Sequence, residues 1–255
     1  MMFPMFADPT FLLVIPALLL SLWAQWKVKS TYARYAQIGN RRGITGAEVA
    51  QHILRDAGVA MAGERGGLGA GVTLEPVAGQ LTDHYDPRSH TLRLSQDIFY
   101  GRSVAALGIA AHEVGHAVQH ASGYAPLQAR NFIYPVCAIG STLAFPIFVV
   151  GMFLGPGTGQ TIMQIAILLF AAAVGFTVLT LPVEFNASRR AVKALASGGY
   201  LTDEELAGAR KVLTAAAMTY VASTAMAVLQ LLRMLLLANR RSIREVMLFP
   251  LLKPR

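Results

Sequence analysis

The sequence is poor in cysteine and poor in charge. Its one cysteine, Cys137, lies inside an apolar run. An intrachain disulfide and a cysteine-ligated zinc site are therefore excluded, and the thiol reads as a small buried hydrophobe. Charged residues make up 14% of the chain and hydrophobic residues 54%, whereas a soluble domain is about one quarter charged. Much of the surface must face something other than water. Lys and Arg outnumber Asp and Glu by 22 to 14, a net charge of +8. Such a balance suits nucleic acid or an anionic membrane. No nucleic-acid motif is present, and the basic residues cluster beside apolar runs. The expected partner is a lipid bilayer, with no nucleic acid. There is no internal repeat and no low-complexity segment.

No Lys or Arg precedes the first apolar segment, Thr10 to Trp26, and no small-residue cleavage site follows it. A secretory signal has both features. Trp23 and Trp26 suit a membrane interface, so residues 1–26 are expected to form an uncleaved transmembrane anchor. Residues 27–130 are polar and read as a juxtamembrane catalytic domain. Within it, Thr45-Gly46-Ala47-Glu48 is a capping box that opens a helix ending near Gly58. Leu81–Tyr85 and His90–Leu94 flank the turn-forming Asp86-Pro87-Arg88-Ser89, which predicts a β-hairpin with Leu92 and Leu94 on one apolar face. Ser103 is placed to cap a helix running to about Ala121, with Gly123 just beyond.

Residues 131–183 contain no charged residue and no histidine, and are broken only by Gly155-Pro156-Gly157-Thr158-Gly159. Two helices of about 20 residues joined by a tight turn fit that length, so this region reads as a transmembrane hairpin. Residues 184–211 are polar and hold a second capping box, Thr202-Asp203-Glu204-Glu205. In residues 212–255, Arg233 interrupts an uncharged run, and a tail follows with Arg240, Arg241, Arg244, Lys253 and Arg255. That run is a fourth span or a buried or interfacial helix, which makes three or four spans. The positive-inside rule places residues 27–130 and 184–211 in the cytoplasm. If the last run spans, its basic tail lies outside, against that rule.

The chemistry concentrates in Ala110-Ala111-His112-Glu113-Val114-Gly115-His116-Ala117. Residues four apart share a helix face, so two imidazoles can meet one zinc ion. Glu113, beside that face, is placed to activate water rather than to bind metal. Gly115 inside a helix costs about 1 kcal/mol relative to Ala, which suggests that another element approaches there. Catalytic zinc uses three protein ligands plus water. His120 sits about 12 Å along the axis from His112, too far for one ion to bridge, and is a supporting residue instead. His52, His84 and His90 read as ordinary polar residues. Glu184 is the first charge after the uncharged hairpin, and two crossings return the chain to the side on which it started. Its two readings are a third ligand, or an ion pair with Arg189 or Arg190. Those arginines are equally placed to orient it or to contact substrate.

Four segments together, Lys27-Val28-Lys29-Ser30-Thr31, Leu81-Thr82-Asp83-His84-Tyr85-Asp86-Pro87, Ala111 to His120 and Leu181 to Arg190, resemble the YugP-like neutral zinc metallopeptidases of bacterial membranes. The resemblance covers about Leu22 to Leu232. It implies a gluzincin-type site with His112, His116 and Glu184 as ligands of one Zn2+ and Glu113 as base. HtpX-type proteases have a similar site, but usually carry an acidic residue where this chain has Ser188; the resemblance makes Asn186 a substitute for it. The expected fold is mainly α, a membrane-embedded helical bundle with a juxtamembrane α+β zincin-like domain that contains a small β-hairpin or sheet. The expected function is a zinc-dependent endopeptidase of the bacterial inner membrane that cuts peptide bonds of membrane or misfolded proteins. The competing readings are a membrane scaffold that uses zinc without proteolysis, and an intramembrane protease with its histidines inside a span.

Overall fold

In a computed structural model, residues 9–63, 71–155 and 157–248 are described, with side chains up to Arg240. Asp8, Pro156, Lys253 and Arg255 lie outside these residues, as do the side chains of Arg241 and Arg244. The chain is mostly helical. Its elements are α1 (Ile15–Ala36), α2 (Gly46–Asp56), β1 (Thr73–Val77), β2 (His84–Asp86), β3 (Thr91–Ser95), α3 (Gln96–Phe99), α4 (Val104–Ala121), α5 (Ala125–Phe153), α6 (Thr158–Ser197) and α7 (Asp203–Leu248). The chain divides into two compact units. One holds residues 24–129 and 180–219, the other residues 1–23, 130–179 and 220–255.

In the first unit the local signals act as the sequence predicts. Thr45 caps α2 by accepting a hydrogen bond from the Glu48 amide at 3.1 Å, and the Glu48 carboxylate accepts one from the Thr45 amide at 2.7 Å. Ser103 caps α4 through the Ala106 amide at 3.1 Å, and Gly123 beyond its end has φ +64°. Thr202 and Glu205 form the equivalent box at the start of α7. These partners satisfy helix-end amides that would otherwise lack acceptors.

The sheet is larger than the expected hairpin. Its order is β1-β3-β2, with β3 parallel to β1 and antiparallel to β2. The sequence does not reveal β1, because Pro76 interrupts its pattern; an edge strand tolerates such a proline. The first hairpin strand begins at His84 rather than Leu81, because Leu81 adopts φ +56° and belongs to a turn. In β3, Leu92 and Leu94 are fully buried as expected, but Ser95 is buried too. The Asp83 carboxylate accepts bonds from the Ser95 amide and hydroxyl at 2.7 and 3.0 Å. The core of the unit joins Val49, Ile53 and Leu54 of α2 to Leu92 and Leu94 of β3, Leu107 and Val114 of α4, Leu195 of α6 and Leu213 of α7. Enclosing each leucine stabilises the unit by about 1.5–3 kcal/mol.

The second unit contains the apolar portions of α5, α6 and α7. Phe148, Met163, Ala166, Met234 and Ala238 pack together in it. Arg233, which interrupts the last apolar run, is 6% exposed. Its guanidinium lies over the Phe11 ring and reaches the Thr10 hydroxyl at 3.4 Å. Among the described residues, three helices are long and apolar enough to cross a membrane: α5, α6, and α7 through Arg240. The expected N-terminal span is not among them. The apolar part of α1 ends at Trp26, and Lys27, Lys29 and Arg34 follow on the same helix.

Candidate metal centre

Helix α4 displays His112 and His116 one turn apart, with ring centroids separated by 4.9 Å and planes nearly perpendicular. Gly115 lies between them in sequence, and α6 packs directly on it. A Cβ at Gly115 would stand 2.7 Å from the Ala187 carbonyl oxygen and 3.1 Å from its Cα. The close approach anticipated from the helical glycine is therefore the backbone of α6. One turn before Ala187, the same helix presents Glu184. Its Oε2 lies 3.3 Å from His112 Nε2 and 3.5 Å from His116 Nε2, and its side chain is 3% exposed.

The outer faces of both rings are held. Gln119 is completely buried and its side chain spans α4 and α6. Its Nε2 donates to the Val183 carbonyl at 2.8 Å and to Asn186 Oδ1 at 3.0 Å. That leaves Oε1 to accept from His116 Nδ1 at 3.0 Å. Arg190 Nε donates to the same Asn186 Oδ1 at 2.7 Å. The Ser188 hydroxyl lies 3.1 Å from His112 Nδ1. Ser188 thus makes the contact to His112, while Asn186 reaches His116 through Gln119.

These contacts test the site for a metal. Because Gln119 Oε1 can only accept, His116 carries its proton on Nδ1, and a neutral ring then aims the Nε2 lone pair at a carboxylate oxygen. Such an arrangement calls for a cation between the two. Ligands at about 2.0–2.1 Å from one tetrahedral zinc ion stand about 3.3 Å apart, close to the separations of Glu184 from the two imidazoles. Ligand atoms of His112, His116 and Glu184 all lie within 4.8 Å of one another. Two imidazoles and a carboxylate are a fitting donor set for zinc.

Glu113 follows His112 and is 9% exposed. Burial pushes its carboxyl up to about 7; the charge of Glu184 adds to the rise and His112 opposes it. His120 turns away from this group. Its Nδ1 lies 2.9 Å from the Tyr85 hydroxyl, and its ring stacks on His90 at 5.0 Å. Burial lowers the His120 imidazole and raises the Tyr85 phenol to about 12, so both are neutral near pH 7. His52 stacks on Tyr200, and His84 Nδ1 donates to the Thr82 carbonyl. Arg189 is exposed. Sequence reasoning did not single out Gln119, although a glutamine three residues after His116 falls on the same helix face.

The family described as "Putative neutral zinc metallopeptidase" matches residues 10–239. The chain belongs to it. It is also 44% identical over 225 residues to "Putative membrane protease YugP" of Bacillus subtilis (strain 168), a span that covers 88% of this chain and 94% of that relative. No solved structure matches. Membership of a zinc peptidase family agrees with the donor set of His112, His116 and Glu184. The resemblance drawn from the four sequence segments is thus shown over most of the chain.

Proposed function

We propose that this protein is a zinc-dependent endopeptidase of the bacterial inner membrane that hydrolyses peptide bonds in membrane or misfolded proteins. His112, His116 and Glu184 hold one zinc ion in a gluzincin arrangement on the HEXXH helix, within a zincin-like domain on the cytoplasmic side. The observation that carries this reading is the convergence of Nε2 of both histidines with Oε2 of Glu184 at 3.3 and 3.5 Å.

When bound, zinc supplies a Lewis acid that polarises the scissile carbonyl and acidifies water. Glu113 takes a proton from that water and returns it to the departing amine, the role of a carboxylate held beside the ligand face. Gln119 and Ser188 fix the orientation of the two rings. Strand β2 lies at the edge of the sheet, and its Tyr85 touches α4 at His120. An extended substrate backbone pairing with that edge runs alongside the histidine helix. The relative's name, membrane protease, and the three apolar helices support a membrane-bound substrate supply. The histidines sit on α4, whereas the candidate spans are α5, α6 and α7, which favours a juxtamembrane rather than an intramembrane site.

The test is casein digestion by the purified full-length protein with and without zinc, beside Glu113→Gln. The variant should keep its zinc and lose cleavage by about 10²–10⁴-fold. If Glu113→Gln cuts as fast as the parent, the mechanism is wrong. A zinc-loaded parent that cuts nothing supports the scaffold reading.

A further inference from the structure

Beside the metal centre, α6 and α7 enclose a groove of about 800 Å³. Three cationic side chains line it: Arg189 and Lys193 from α6 and Arg210 from α7, with no acidic residue among the lining. All three are exposed, and none forms an ion pair among the described residues. The rest of the wall is largely apolar, with Phe185, Val192, Leu213 and Ala217 from the same two helices. Such a combination asks for a ligand with an anionic head and a hydrocarbon body.

The position of the groove along the chain identifies the source of that ligand. Both helices that form it are candidate membrane spans. On α6 the groove begins at Phe185, two residues after the uncharged stretch ends at Val183; on α7 it ends at Ala217, just inside the uncharged stretch that starts at Val212. On both helices the cations thus stand where the sequence passes from membrane-compatible to water-compatible. Lipid phosphates occupy that level of a bilayer, and basic pockets between spans bind such head groups. Soluble phosphate would use the three cations but leave the apolar wall uncovered.

We infer that this groove binds an anionic phospholipid, with its phosphate on Arg189, Lys193 and Arg210 and its acyl portion on Phe185, Val192, Leu213 and Ala217. Ser188 lines the same groove and stands 3.1 Å from His112 Nδ1. The head group therefore settles one residue away from the support of a metal-site histidine. The inference concerns binding and does not require the protein to be a peptidase.

The test uses full-length protein in mild detergent, with lipid retention read by native mass spectrometry. The probes are phosphatidylglycerol, phosphatidylcholine and inorganic phosphate. Each cation beside an anionic head group contributes about fivefold in affinity, so Arg189→Gln/Lys193→Gln/Arg210→Gln should weaken phosphatidylglycerol binding by about a hundredfold. A control with the same charge change away from the groove, Arg41→Gln/Arg55→Gln/Arg88→Gln, should bind like the parent. Ala196→Trp fills the groove without altering its charge and should also expel the lipid; it serves if the triple variant does not fold. Three results overturn the inference: equal retention of the two lipids by the parent, undiminished phosphatidylglycerol binding in a folded groove variant, or phosphate binding as tight as the lipid's, which would make this a free-anion site.

Discussion

Replacing Gly115 by alanine tests the whole construction of the metal centre, because that residue sets the distance between the helix with the histidines and the helix with Glu184. The new methyl would sit 2.7 Å from the Ala187 carbonyl oxygen. Ordinary contact requires the helices to part by about 0.7–1 Å. Within α4, the substitution gains about 0.8–1.0 kcal/mol of helix propensity, and overpacking costs about 1–3 kcal/mol. The net effect on stability lies between about zero and −2 kcal/mol, so the variant should fold. The site has no such margin, since metal–ligand distances tolerate only about ±0.2 Å. Glu184 is drawn off both imidazoles together. Zinc affinity should fall by at least about tenfold, and cleavage by about a hundredfold, the usual consequence of a 1 Å misplacement. Competition titration against a chelator reads the first and casein digestion the second. Gly108→Ala is the matched control. It lies on the same helix and gains the same propensity, but its Cβ would meet the Ala209 Cβ at 3.4 Å, and it should bind zinc like the parent. If Gly115→Ala also binds zinc like the parent, the close crossing of α4 and α6 does not set the ligand geometry.

Other consequences are equally direct. Gln119→Ala removes the acceptor for His116 Nδ1 and strips Asn186 and Val183 of a shared donor; zinc affinity should fall about 10–100-fold, measured by the same titration. His120→Ala should leave zinc content unchanged in elemental analysis, since that ring is engaged with Tyr85 and His90; loss of the metal would return His120 to the ligand set. Removing zinc with a chelator should lower thermal stability of the purified protein, because ligand present at about 100 times Kd contributes about 2.7 kcal/mol. Identical melting with and without metal would mean that the three residues do not share an ion.

Local physics reaches far into this protein. The capping boxes at Thr45 and Thr202, the cap at Ser103 and the stop near Gly123 were legible because a helix end needs acceptors or positive φ within a few residues. The two imidazoles were legible for the same reason, since one helical turn alone brings them together. The uncharged stretch announced α5 and α6 because hydrocarbon excludes charge. Strand β1 escaped notice because Pro76 hides its pattern and its partner, β3, is remote in sequence. The sequence left Glu184 with two readings, a ligand or an ion pair with its arginines. Only packing brought its carboxylate to the histidines: the glycine at 115 announced a close crossing, but no local signal named α6 as the helix that makes it. Helix periodicity therefore determined which residues share a face. The tertiary structure decided which faces meet, because contacts between distant segments depend on how closely backbones can approach.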